Sequence, residues 1–182
     1  WDVTKETVGI ATTRSELVER LLDRMHRSVR YSDVQLGQSA IVPAAPAKTL
    51  KAGQGDSKDQ SALLIAMLRS VGLEAYVALM NAGVGPDVEP DLPGFGGFNH
   101  AIVYVPGDSP LWIDPTFRFS RVGQLPVQDQ GRLALIVKPE TTALVRTPEL
   151  SSLVVDTTEV TLAQEGPGGI VALKEFFGSQ EA

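Results

Sequence analysis

Three residues of this chain combine a reactive side chain with a setting that can use it: Ser57, His100 and Asp114. Ser57 stands in the polar run Gly53-Gln54-Gly55-Asp56-Ser57-Lys58-Asp59, just before a long apolar stretch. A helix beginning there presents unpaired backbone N–H groups, which favour negative charge on a nucleophile or an oxyanion. His100 opens one predicted strand and Asp114 ends the next. Paired strands lie about 4.8 Å apart, so the two side chains can sit side by side. The carboxylate would fix the imidazole tautomer and leave the second ring nitrogen facing the nucleophile. Taken singly, each residue has a plainer reading. Ser57 would serve as an N-cap, His100 as a satisfied strand histidine, and Asp114-Pro115 as a turn.

The elements that must position these residues follow from the hydrophobic pattern. Thr13 and Glu16 fit a capping box, and Leu17, Val18, Leu21, Leu22 and Met25 form a helical stripe within 13–29. His26 flanks that stripe among Arg24, Arg27 and Arg30, where a boundary or surface histidine is expected. Over 31–55 the pattern dissolves, and Pro43 and Pro46 argue for an extended surface strap. A second helix is predicted from Asp56 or Ser57. Ala62 to Leu68 and Val71 make it apolar nearly all round, and Gly72 stops it, so it should be the buried central helix.

Strands are predicted over 74–80, 100–105, 111–113 and 132–137. The Gly- and Pro-rich run 83–97 reads as a long mobile loop, a solvated flap beside the site. Asp87, Glu89 and Asp91 alternate in it, but Pro86, Pro90 and Pro93 interrupt them and no EF-hand spacing exists. Residues 153–162 and 170–176 form a hairpin turning at Glu165 to Gly169. Helices followed by antiparallel strands make the class α+β. The expected organisation is a core over 1–148 and a β-hairpin over 149–182 that opens a following β domain.

Composition narrows the chemistry further. The 182 residues, 43% of them hydrophobic, suffice for one packed domain with a small attachment. Sixteen Lys+Arg against 22 Asp+Glu leave a net charge of −6 with no basic block, which argues against nucleic acid. No apolar run approaches about 18 residues, so no membrane span is expected in this fragment. There is no cysteine, hence no disulfide, thiolate metal site or cysteine nucleophile, and two histidines exclude a histidine-rich zinc site. Gly53 to Lys58 lacks P-loop spacing. The chain opens at Trp1 without a methionine or signal pattern and looks cut, so any targeting segment is expected outside it.

Order, spacing and flanks together resemble the transglutaminase-like superfamily over roughly 17–137. Gly55-Asp56-Ser57-Lys58-Asp59 matches a bacterial Gly-Asp-Cys-Lys-Asp motif, followed by Ala62-Leu63-Leu64 and Leu68 to Ala75. Phe98-Asn99-His100-Ala101-Ile102 matches the family's histidine motif. Trp112-Ile113-Asp114-Pro115-Thr116 matches its aspartate motif, with Gly123 to Pro126 after it. The resemblance implies a papain-like core, a buried central helix packed on an antiparallel sheet. It also implies thiol-based acyl transfer or amide hydrolysis, with His100 as base and acid and Asp114 orienting it, and with no cofactor or metal. The implied partner is a peptide or protein with an amide side chain or backbone, and the implied setting is a bacterial periplasm or envelope.

Ser57 stands where the family carries its nucleophilic cysteine. A thiol is readily held as thiolate by histidine and a helix terminus, whereas a hydroxyl needs its proton removed during attack. Weak or absent activity is therefore expected, whether the serine is natural or was introduced. The backbone N–H of Ser57 is the favoured oxyanion donor, with Gln54 as a further candidate. Lys58 points away from Ser57 and, like Asp59, is expected in a structural ion pair. An active serine hydrolase is a rival reading, but Asp59 replaces the second glycine of G-x-S-x-G and the acid follows the histidine. The other rival is a catalytically dead peptide-binding or scaffold module of an envelope protein.

Overall fold

A computed structural model describes residues 13–33, 41–91, 94–118, 121–149, 153–161, 166 and 168–177. Helix α1 spans Arg14–Ser28 and starts at a complete capping box, with Thr13 and Glu16 satisfying each other's backbone N–H groups. Its apolar stripe lies against α3, Ser57–Ser70, where Leu63, Leu64 and Leu68 meet Val18, Leu21 and Met25. Five strands form one antiparallel sheet: β3 (Tyr76–Met80), β4 (His100–Val105), β5 (Leu111–Ile113), β6 (Leu133–Ile136) and β7 (Val145–Arg146). Their spatial order is β5-β4-β3-β6-β7. Alternation along β4 sends Val103 and Val105 into the core beneath the two helices. Ile102 goes to a second cluster with Met80, Trp112, Leu125 and Ile136.

Strands β8 (Leu153–Thr161) and β9 (Gly169–Phe177) pair only with each other among the described residues. They form the expected hairpin, although Glu165 and Pro167 of its predicted turn lie outside those residues. Among the described residues no helix is long and apolar enough to cross a membrane.

Three expectations change. The strap over 31–55 contains a short helix, α2 (Pro46–Ala52), because a proline in the first turn gives up only an N–H that would be orphaned anyway. Gly53 ends α2 in the left-handed conformation with φ of 66°, which a Cβ would strain. Strands β1 (Arg30–Tyr31) and β2 (Gln54–Gly55) then pair in parallel and tie the end of α1 to the start of α3.

The loop after β3 is anchored through its first half rather than free in solvent. The Asp87 carboxylate accepts from the Leu133 N–H, Arg132 donates to the carbonyls of Gly85 and Pro86, and Val88 is buried.

His26 is buried rather than superficial, and its Nε2–H donates to the Pro115 carbonyl at 2.8 Å. Burial lowers its pKa, the bond to Pro115 opposes that, and the nearby Arg118 lowers it further, so the ring is neutral near pH 7. This contact buttresses the backbone directly after Asp114.

Candidate active site

The start of α3 is built to be polar and rigid. Asp56 is its N-cap and accepts from the Asp59 N–H at 3.1 Å, while the Gln60 side chain donates to the Gly55 carbonyl at 2.9 Å. Of the helix's first N–H groups, those of Ser57 and Lys58 have no partner within the helix. Asp56 would by itself oppose a second negative charge there. Lys58 neutralises it through an ion pair in which the two side chains are only 14% and 4% exposed. Among the described residues Asp59 makes no such pair; its carboxylate accepts from the Ala44 N–H at 2.8 Å and fastens the segment before α2.

Gly55 is required by proximity. A Cβ there would lie 2.8 Å from Asp59 Cβ and 3.0 Å from Thr49 Cγ2. Gly55→Ala is expected to cost about 1–3 kcal/mol by overpacking. Thermal unfolding of the variant checks this, and an unchanged midpoint would contradict it.

The second half of the site lies on β4 and β5, where the register pairs Val103 with Ile113 and leaves His100 and Asp114 just beyond the paired segment. His100 Nε2 is 3.1 Å from Asp114 Oδ2. The ring nitrogen donates, so Nδ1 is the atom left for another partner in the neutral ring. Thr116 holds the other oxygen: its N–H and Oγ1–H donate to Asp114 Oδ1 at 2.8 and 2.7 Å. Burial pushes the Asp114 pKa up, but the His100 hydrogen bond and charge and the Thr116 donors outweigh it, so the net direction is down. Burial likewise pulls His100 down, and Asp114 and then Asp129 more than reverse it, so the imidazolium is favoured. A buried histidine–carboxylate pair results, suited to holding a neighbouring anion and to moving one proton.

Asp129 completes this group and was not anticipated from sequence. Its side chain is fully buried, and Oδ2 lies 3.9 Å from His100 Nε2. Neither carboxylate oxygen has a hydrogen-bond partner among the described residues. Burial and then the charge of Asp114 push its pKa up to about 7. The main chain is firmly held, with its carbonyl accepting from Thr147 Oγ1 at 2.6 Å and its N–H donating to Pro126 at 2.9 Å. In sequence, Val127-Gln128-Asp129-Gln130 reads as a polar loop, and nothing local signals burial.

Of the three residues singled out from sequence, His100 and Asp114 are in direct contact, and Ser57 opens α3, which is tied to β4 one turn further on. Ser61, on the Ser57 face of α3, donates its hydroxyl to the carbonyl of Ala101, the neighbour of His100, at 2.9 Å. Tyr31 connects the same region electrostatically. Burial raises its pKa, followed by the charges of Asp33, of Asp56 at the start of α3, and of Asp114. Gln54 lies in β2 with its side chain exposed.

The sequence profile of the Transglutaminase-like superfamily matches residues 2–113, ending one residue before Asp114. No curated protein matches. Among solved structures, a candidate protease from Parabacteroides distasonis is similar, with 12% sequence identity and a TM-score of 0.47. The similarity covers 69% of this chain and 28% of that protein, so this chain corresponds to under a third of it.

Proposed function

We propose, since the chain belongs to the Transglutaminase-like superfamily, that Ser57, His100 and Asp114 form an acyl-transfer site for peptide amides, with Ser57 at the nucleophile position. Residues 2–113 carry the Transglutaminase-like core. The observation that carries the finer reading is the buried His100–Asp114 pair at 3.1 Å, on a strand tied to α3 through Ser61 and the Ala101 carbonyl.

In this reading the group at position 57 attacks the amide carbonyl carbon as His100 Nδ1 takes its proton. The carbonyl oxygen becomes negative against the N–H groups at the start of α3. The C–N bond then breaks, the amine leaves with the proton from His100, and an acyl-enzyme remains. Water or a second amine resolves it by the reverse sequence, giving hydrolysis or transamidation. Asp114 holds the ring in the productive tautomer throughout.

With oxygen at position 57 the first step has no preformed anion, so the chain as it stands should be weak or inactive. Restored cysteine should release p-nitrophenol from a p-nitrophenyl ester in a burst stoichiometric with the chain. The burst should vanish in Ser57→Cys/His100→Ala. No burst, or an equal burst without His100, would contradict the reading.

The serine itself favours a second reading, a peptide-binding or scaffold module on the same fold, which the absence of a burst would support. The core's end at residue 148 belongs to the proposal too. Thr147 is still buried and bonded to Asp129, whereas β8 and β9 pair only with each other among the described residues.

A further inference from the structure

Three potential ligand atoms meet beneath the site. His100 Nε2, Asp114 Oδ2 and Asp129 Oδ2 belong to a group whose ligand atoms all lie within 4.8 Å of one another. Two carboxylates at that separation, in side chains 1% and 0% exposed, face a single imidazole. The nearest further cation does not satisfy Asp129, because Arg132 donates from Nε and Nη2 to the carbonyls of Asn81, Gly85 and Pro86. Apart from the 3.9 Å ion pair with His100, both Asp129 oxygens are thus buried without a hydrogen-bond partner among the described residues, an arrangement that ordinarily costs about 1–3 kcal/mol or more.

We propose that His100, Asp114 and Asp129 bind one divalent transition-metal ion of the zinc class. The spacing suits such an ion. Bonds of about 2.0–2.2 Å in tetrahedral geometry place neighbouring ligand atoms roughly 3.3–3.6 Å apart, and the distances from His100 Nε2 are 3.1 and 3.9 Å. The ligand types suit it as well, since imidazole with carboxylates favours zinc or cobalt over magnesium or calcium, which require more oxygens.

The outer supports are already present. Thr116 holds Asp114 by its other oxygen, Oδ1, and Thr147 fixes the Asp129 main chain. Binding releases the Nε2 proton and leaves the neutral ring protonated at Nδ1. Three protein ligands leave a fourth position for water. The ion would remove the proton acceptor from Nδ1 and so inhibit acyl transfer, a consequence that rests on the function proposed above; binding itself does not.

The test uses the chain as it stands, stripped with a chelator, freed of it and titrated with Zn²⁺ in a calorimeter. One equivalent should bind saturably. The chain has two histidines, so long-range ¹H–¹⁵N spectra resolve the outcome: the His100 ring signals should move to those of a metal-bound imidazole while His26 keeps its own. Asp129→Asn should weaken binding at least about tenfold, the loss that even an outer-sphere partner produces. No saturable binding, binding that leaves the His100 ring unmoved, or equal affinity in Asp129→Asn would each overturn the proposal. None of these readouts needs turnover. Failure here would leave the acyl-transfer reading standing, and a missing ester burst would leave this one standing.

Discussion

Asp129→Asn is expected to raise the thermal midpoint at pH 8 in chelator-containing buffer, and to change it little at pH 4. In the fold Asp129 keeps its proton up to about pH 7, whereas an unfolded aspartate loses it near pH 4. Between those values the native state binds more protons, so this group's contribution is present below about pH 4 and lost as pH rises through about 7. The loss amounts to about 4 kcal/mol at most, since each of the roughly three units between those values is worth about 1.4 kcal/mol. Asparagine keeps the shape and removes the charge, so the gain at pH 8 should be on the order of 5–10 °C for a chain of this size.

Asp114 works the other way. Its lowered pKa stabilises the fold above the ordinary carboxylate range, and the benefit disappears as pH falls through the folded value. His100, raised, contributes below about pH 6.5 and loses that contribution as pH climbs past its folded value. An Asp129→Asn gain of equal size at both pH values, or a loss at pH 8, would contradict the buried-carboxylate account.

Leu64→Ala should destabilise the domain by about 3–5 kcal/mol, measured by denaturant unfolding. Leu64 is fully buried in α3, in the cluster where α1, α3 and the sheet meet. Truncation removes apolar transfer energy and leaves a cavity that rigid neighbours fill only in part. Leu50 of α2 is 41% exposed, and its alanine variant should lose far less. Equal losses at the two positions would mean that α3 is not the pillar of the core. Because α3 carries Ser57 at its first turn, its packing also fixes where a nucleophile could sit.

The fold was legible where the sequence pattern is long or sharply bounded. An apolar run without a polar stripe identified α3 as buried, and short apolar runs ending at His100, Val105 and Ile113 marked β4 and β5 with their observed limits. The capping box located the start of α1 by a local hydrogen-bond rule.

Helix α2 was not legible. Seven residues give barely two turns of periodicity, and the prolines around it argue for extension unless Pro46 is placed in a first turn. Strands β1, β2 and β7 have two residues each, too few for alternation to register. His26 did carry a usable signal, since Leu22, Met25 and His26 share helical spacing. Three arginines nearby outweighed it, and only the packing of Pro115 explains the burial.

In the site, helix terminus, strand start and strand end foretold the His100–Asp114 contact through strand geometry. Asp129 is held by Thr147, 18 residues further along the chain, a contact that no local spacing encodes. The place of a cysteine at position 57 came from the family resemblance alone.

The most direct measurement is the pH profile of iodoacetamide alkylation in the Ser57→Cys chain, which would contain no other thiol. The midpoint is the informative quantity rather than the rate. A lowered pKa increases the thiolate fraction but also reduces its nucleophilicity, and the two effects partly cancel. An anion held by His100 and the α3 terminus should titrate below about pH 7, against about 8.5 for an ordinary thiol. Adding His100→Ala should return the midpoint to the ordinary value. A midpoint near 8.5 in both variants would contradict the claim that these residues form a thiol-enzyme site.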